Sequence, residues 1–299
     1  MKTKVAAIKD LLAPLVAQEV LDTLDIFASR PEHHRHRATF ELRPGVDALQ
    51  YSMWDPVEGK HTTVSALDVP IFSKPITAAM ELLQRQRIEL TEFRAPPEAR
   101  DVSDDWRQVV GQGLRSVQFH STLSRELIVC LVYHDERLKN MKRAQLLPDE
   151  EAETARWVAA AKILRQRFLD ADIAARVDVI GRWKRRRRCV ERDYVNETME
   201  LDGRTLTYTQ PEGQFSNPNA ECEVCCLQWL CREARCIREV LGPVPAHLLE
   251  LHAGAGTNTV ALAPIFDEVA AVEINRVLTE AAERNSQANG LRNVRLIRA

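Results

Sequence analysis

With 299 residues, 41 basic and 43 acidic side chains and a net charge of −2, the chain has no global pull toward nucleic acid, so any polyanion contact has to be local. Hydrophobic residues at 45% and charged residues at 28% are the balance of a globular protein, and the length leaves room for two domains and a sizeable core. No apolar run approaches membrane-spanning length, so no spanning helix is expected.

Residues 1–28 carry charges scattered through MKTKVAAIKDLLAPLVAQEVLDTLDIF and lack a secretory apolar core and cleavage site. They predict an amphipathic surface helix and a cytoplasmic protein. A first basic group follows: Arg30, His33, His34, Arg35, His36, Arg37 and Arg43. Strands are expected at 37–42 and 49–54, separated by Pro44-Gly45, and a helix at 76–87. Residues 113–120 and 126–133 predict an antiparallel pair across Thr122-Leu123-Ser124, then a long helix at 149–171 and a strand at 176–181. A second basic group holds Arg182, Lys184, Arg185, Arg186, Arg187, Arg188 and Arg192. On a strand these would face both ways, and burying both faces is prohibitive, so at least one meets water or phosphate. Two such groups in a nearly neutral chain favour a local polyanion footprint over a merely solvated face.

The segment GQFSNPNAE, from Gly213, reads as the join between halves, with Asn219 as N-cap of the helix that follows. That helix holds Cys222, Cys225, Cys226, Cys231 and Cys236 of the seven cysteines. Leu227, Leu230, Ile237 and Leu241 recur at helical spacing. Cys226 and Cys236 would then stand about 15 Å apart along the axis, too far to share one tetrahedral ion, and no metal is expected.

The most informative stretch is LLELHAGAGTNTVALAPIFDEVAAVE, residues 248–273. It reads as a strand, a glycine turn, a helix and a second strand ending on a carboxylate. Gly254 and Gly256 permit a sharp turn and close approach of a ligand. Glu273, seventeen residues after Gly256, is placed to take ribose hydroxyls. Next come a helix with Leu278, Ala281, Ala282 and Asn285 on one face, an Asn289-Gly290 cap and a strand at 294–297. This order is that of the first half of a class I methyltransferase. A nicotinamide enzyme stays open, although it would more usually show a third glycine where Thr259 stands.

The motifs HHRHRATF at 33–40, STLSRELIVCLVYH at 121–134, IGR at 180–182, DYV at 193–195, QFSNPNAE at 214–221 and LLELHAGAGTNT at 248–259 occur in order. Together they resemble the bacterial tRNA (uracil-5-)-methyltransferase family, which makes ribothymidine in the T-loop of tRNA with S-adenosylmethionine. The resemblance runs from about residue 28 to Ala299. It implies an α/β fold in which a helical segment, 1–28, precedes an α/β RNA-binding domain, 29–208. An incomplete Rossmann-like class I methyltransferase domain, 209–299, would follow. tRNA would be the partner, and a monomer is expected.

The same resemblance implies cofactor contacts at Asn217, His252, Gly254, Gly256, Thr257 and Glu273, and tRNA contacts at Arg35, Arg37 and His134. Glu273 keeps the family's residue type. Asn217 stands where a Gln is usual, His252 where a Tyr is, Thr257 where an Asn is, and Arg115 where a base-stacking aromatic is. In the family a cysteine thiolate adds to C6 of the uracil, the resulting enolate attacks the sulfonium methyl, and a carboxylate removes the C5 proton. The S-C-N-P and D-P-P-R segments tied to those steps do not occur in this sequence. The resemblance therefore implies that nucleophile and base lie beyond Ala299. No catalytic residue is assigned, the chain alone is expected to be inactive, and apolar surface should be exposed on the strands ending at 273 and 297. The competing reading is a non-catalytic RNA-binding pseudoenzyme.

Overall fold

The structure, a computed structural model, describes residues 2–45, 49–65, 69–91, 102–133, 150–184 and 186–299. After helices α1 (Lys2–Leu12) and α2 (Gln18–Asp22), the first half is built on a seven-stranded sheet. Its strands are β1 (Arg37–Pro44), β2 (Leu49–Asp55), β3 (Lys60–Val64), β4 (Leu114–Ser121), β5 (Glu126–Tyr133), β6 (Arg176–Trp183) and β7 (Arg186–Cys189). The order across it is β3-β2-β1-β4-β5-β6-β7. All neighbours are antiparallel except β5 and β6, which run parallel because α5 (Glu150–Asp170) returns the chain between them. Helices α3 (Lys74–Arg85), α4 (Val102–Gly111) and α5 cover one face. They enclose a core that includes Phe40, Phe72, Phe119, Trp157 and Phe168. Gly181 on β6 makes that packing possible: a Cβ there would stand 2.5 Å from the ring of Trp157.

The second half begins with α6 (Ala220–Leu241), a single helix carrying five of the cysteines. Its N-cap is Asn219, whose side chain accepts the Cys222 amide at 3.0 Å, as expected. A parallel sheet, β10-β11-β12, follows: β10 (His247–Leu251), α7 (Thr257–Leu262), β11 (Glu268–Glu273), α8 (Arg276–Ala288) and β12 (Val294–Arg298). Leu278, Ala281, Ala282 and Asn285 are buried on α8, and Asn289-Gly290 ends it with Gly290 at φ 70°. The exposed apolar side chains do not fall where the sequence places them. On β11, Val269 and Ala271 are buried, whereas Leu249 and Leu251 on β10 are 64% and 62% exposed.

Between the halves lies a hairpin, β8 (Tyr194–Leu201) and β9 (Arg204–Pro211), turning at Asp202 (φ 51°) and Gly203 (φ 75°). Two positive φ values make the primed turn that matches strand twist, and Asp-Gly is its preferred pair. Met199, Leu201, Leu206 and Tyr208 pack with Leu227 and Cys231 of α6 and Val260 of α7. The core of the second half thus draws on residues upstream of 209. Val195, at the other end, packs against Ile128, Cys130 and Ile180 of the large sheet.

Two polar fastenings hold the hairpin. Glu197, buried on β8, accepts the amides of Leu123 (2.9 and 3.0 Å), Ser124 (3.3 Å) and Thr198 (3.0 Å), which binds the β4–β5 turn. On the other side, Asn285 and Asn289 of α8 face the edge of β9. Asn285 accepts the Thr209 amide at 2.7 Å and donates to the Thr209 carbonyl at 3.2 Å. Asn289 does the same with Thr207, at 3.1 and 2.8 Å. Four residues apart on one helix face, the two amides stand in for a neighbouring strand.

Burial pushes the Glu197 carboxyl up to about 7, against the pull of its amide donors. Glu223 on α6 is likewise raised to about 7, by burial first and then by Glu197. Between the ordinary value of 4.5 and about 7 the folded chain keeps protons that the unfolded chain has released. The stability these groups contribute is complete below 4.5 and declines as pH rises through 7. Glu223→Gln should flatten that decline. Urea unfolding across the pH window from 4.5 to about 7 checks this; an unaltered pH dependence there would refute it.

Candidate cofactor and nucleic-acid site

The glycine loop leaves the C-terminal end of β10 and turns back into α7. His252 (φ 57°), Gly254 (φ 59°) and Gly256 (φ 79°) all take left-handed backbone. At Gly254 an added Cβ would meet nothing within 4 Å, so the loop is open there. At Gly256 it would stand 3.1 Å from the Ala282 Cβ, which is the close approach of the loop to α8. Thr259, in the third-glycine position, is fully buried and donates its hydroxyl to Glu250 of β10. A side chain is tolerated there because it has a polar partner on the strand.

Glu273 ends β11 one strand over and is 8% exposed. One carboxylate oxygen accepts the Gly254 amide at 2.9 Å and the other the Asn275 amide at 2.7 Å. Of the predicted cofactor positions, His252, Gly254, Gly256 and Thr257 therefore share one loop, and Glu273 is hydrogen-bonded to it. Thr257 is the first residue of α7, with its carbonyl accepting the Tyr208 hydroxyl at 3.3 Å. Asn217 lies on the separate loop 212–219, where its side-chain oxygen accepts the Asn219 amide at 3.0 Å. That loop reaches the Glu273 corner through Gln214, whose side-chain oxygen accepts Asn275 Nδ2 at 2.7 Å. Neither Gln214 nor Asn275 is singled out by the sequence, because an Asn after a strand-end acid reads only as a cap.

The first basic group divides on folding. Arg35 is exposed, with its Nε donating to the Arg37 carbonyl at 2.9 Å, and Arg43 is exposed as well. Arg37 is half-buried instead, and NH1 donates to the Gln214 carbonyl at 2.6 Å and the Ser216 hydroxyl at 3.2 Å. It ties β1 to loop 212–219. His36 is buried, its amide on the Pro218 carbonyl at 2.7 Å and its Nδ1 3.1 Å from the Ser121 hydroxyl. His120 is buried too, its Nε2 donating to Gln210 at 2.9 Å, and burial lowers it to about 3, so it stays neutral. Arg30 pairs with Glu221. His134 lies outside the described residues.

Three members of the second basic group, Arg182, Arg187 and Arg192, are paired with acids, and Arg185 lies outside the described residues. Arg182 pairs with Glu212 at 2.8 Å, Arg187 with Asp193, and Arg192 with Glu126 (2.8 Å) and Asp178 (3.2 Å). Lys184 is exposed. Arg115, at the position of the usual aromatic, lies 3.5 Å from Glu41.

A parallel strand, a glycine loop, a helix and an acid-ended strand define a Rossmann-like class I methyltransferase, here joined to a separate α/β module with a basic surface segment. A family model described as tRNA (Uracil-5-)-methyltransferase matches residues 1–299, and the chain belongs to that family. Relatives named tRNA/tmRNA (uracil-C(5))-methyltransferase include one from Azoarcus sp., 37% identical over 299 residues, covering 100% of this chain and 68% of the relative. Another, from Aromatoleum aromaticum, is 34% identical over 295 residues, covering 99% and 66%. The chain thus spans about two thirds of the length of these relatives. The fold also matches the crystal structure of the Pyrococcus abyssi tRNA (uracil-54, C5)-methyltransferase in complex with S-adenosyl-L-homocysteine. The TM-score is 0.53 at 15% identity, over 90% of this chain and 56% of that one. Because the family model runs the whole chain, it lends no support to a missing catalytic segment or to a non-catalytic pseudoenzyme.

The geometry around Arg37 makes a checkable statement about its role. Arg37→Ala should destabilise the fold by about 1–3 kcal/mol, the range for losing a hydrogen bond from a charged donor and leaving its acceptors unpaired. Denaturant unfolding measures this; a midpoint equal to wild type would show that the tie contributes nothing.

Proposed function

We propose that this chain holds S-adenosylmethionine on its glycine loop and Glu273 and serves methylation of uracil C5 in tRNA. The observation that carries the reading is the Glu273 carboxylate. One oxygen accepts the Gly254 amide of the loop, the other the Asn275 amide at the start of α8, and each keeps further lone-pair sites for ribose hydroxyls. It stands at the C-terminal ends of parallel strands, where ligands of open α/β sheets bind. The space at Gly254 fits a ligand lying against the backbone. When bound, the cofactor supplies an electrophilic methyl group. The chain's part is to grip the ribose through Glu273 and to add hydrogen-bonding groups at His252, Thr257 and Asn217.

For tRNA, Arg35 is the contact that exposure favours, with His134 carried by resemblance. Arg37 contributes by holding loop 212–219 in place. None of the seven cysteines is assigned as nucleophile. Burial pushes the Cys130 and Cys231 thiols up, the wrong direction for a thiolate. Cys189 lies on the edge strand β7, and Cys222, Cys225, Cys226 and Cys236 lie on α6. Any methyl transfer by residues 1–299 should be indifferent to alanine at each cysteine in turn; loss of transfer at one of them would overturn that assignment.

Glu273→Ala should weaken cofactor binding by a factor of about ten or more, since hydrogen bonds to a charged group contribute about 1.5–3 kcal/mol. Calorimetry with S-adenosylmethionine and, separately, with NAD is the measurement, and preference for NAD would reject the methyltransferase reading. Arg35→Ala should weaken tRNA binding and reduce the slope of log K against log salt by about one. Filter binding across a salt series reads both, and an unchanged slope removes Arg35 from the phosphate contacts.

A further inference from the structure

We infer that Gln214 and Asn275 are positioning residues: their side-chain hydrogen bond sets the spacing between two walls of the cofactor site, the loop bearing Asn217 and the strand end bearing Glu273. The inference rests on the cofactor reading above and adds to it two residues that touch no cofactor.

Asn275 is held at three points. Its backbone amide donates to Glu273 at 2.7 Å. Its Oδ1 accepts the amides of Val277 at 2.9 Å and Leu278 at 3.4 Å, capping α8. With Oδ1 fixed by the cap, the direction of Nδ2 is fixed too, and Nδ2 donates to Gln214 Oε1 at 2.7 Å. Asp or Ser would cap as well, but Asp brings no donor and Ser does not reach so far. Asparagine is the capping residue that also makes a second, outward bond.

Gln214 is anchored from the other side. Its carbonyl accepts Arg37 NH1 at 2.6 Å, and its amide donates to the Pro211 carbonyl at 3.3 Å. The rest of loop 212–219 is tied to the first half of the chain: Pro218 to the His36 amide, Ser216 to Arg37, and Glu212 to Arg182. These bonds fix the loop to the large sheet but do not fix it to Glu273. The Gln214–Asn275 bond does, and it joins residues 61 positions apart. Without it, the Glu273 corner would lose its tether to the loop: the amide bonds to Glu273 would open more often, and the gap between Asn217 and Glu273 would become variable. A ligand spanning both would then bind more weakly, because freezing that gap would fall on the binding step.

The test uses Gln214→Ala, Asn275→Ser and the double variant, titrated with S-adenosyl-L-homocysteine by calorimetry beside wild type and Glu273→Ala. Serine preserves the cap, so the unfolding midpoint of Asn275→Ser should match wild type. Each single variant should bind roughly three- to tenfold more weakly, and the double variant no more weakly than the worse single, because both remove one shared bond. Wild-type affinity in both singles, with loss in Glu273→Ala, would overturn the positioning role and leave the cofactor reading standing. Multiplicative losses in the double variant would also overturn it. Should wild type bind no cofactor at all, the cofactor reading fails separately. The bond is then judged by hydrogen exchange: the Gly254 and Asn275 amides, which Glu273 accepts, should exchange faster in Gln214→Ala. Unchanged exchange would end the proposal.

Discussion

The side-chain amide of Asn285 is the joint on which the arrangement of the two halves turns. It is 1% exposed and fully committed. Oδ1 accepts the Thr209 amide, while Nδ2 donates to the Thr209 carbonyl and, at 2.8 Å, to the carbonyl of Ala255 in the glycine loop. One planar group thus fixes α8, the hairpin and the loop against each other. The hairpin in turn is fastened to the large sheet through Glu197, so the orientation of the glycine loop relative to the basic segment depends on this amide. An apolar residue of similar size would bury the same surface but leave the Thr209 and Ala255 groups without partners, a cost of about 1–3 kcal/mol for each buried group.

The other joints are built on the same logic, with a buried carboxyl group in place of a buried amide. Glu197, Glu212 and Glu273 are 1%, 6% and 8% exposed. Glu197 is satisfied by backbone amides, Glu212 by Arg182 and Arg187, and Glu273 by the amides of Gly254 and Asn275. A carboxylate without partners could not occupy these positions, and one with directional partners tolerates little displacement. The apolar cores give each half its cohesion; the polar joints give the halves their register. The proposed cofactor site sits among those joints, which is why its geometry depends on residues that line neither core.

Much of this was legible in the residues, and the failures have identifiable physical causes. The strand at 126–133 and the cap at Asn219 are where the pattern puts them, because both follow local rules: an unbroken apolar run and a side-chain oxygen preceding a helix. The glycine loop and Glu273 are likewise local. The hairpin at 194–211 escapes a hydrophobic reading because a carboxylate, Glu197, occupies an inward position of β8 and interrupts the alternation. Its Asp202-Gly203 turn was the signal that could have found it. The basic groups mislead for the opposite reason. Charge counting cannot tell that Arg37 turns onto Gln214 and Ser216, or that Arg182 meets Glu212 and Arg192 meets Glu126, acids far away in sequence. Such pairings are tertiary, and the Gln214–Asn275 bond belongs to the same class.

The two asparagines on α8 also govern how the chain meets copies of itself. The outer edge of β9 would otherwise present free amides and carbonyls, an invitation for a strand from another molecule to add on. Asn285 and Asn289 occupy the groups of Thr209 and Thr207 and close that edge without adding a strand. The large sheet ends differently, on β7, a terminal strand of only 4 residues that offers a short template for pairing. The cover on β9 and the brevity of β7 therefore have a second consequence: at high concentration they leave a neighbouring copy of the chain little edge to pair with.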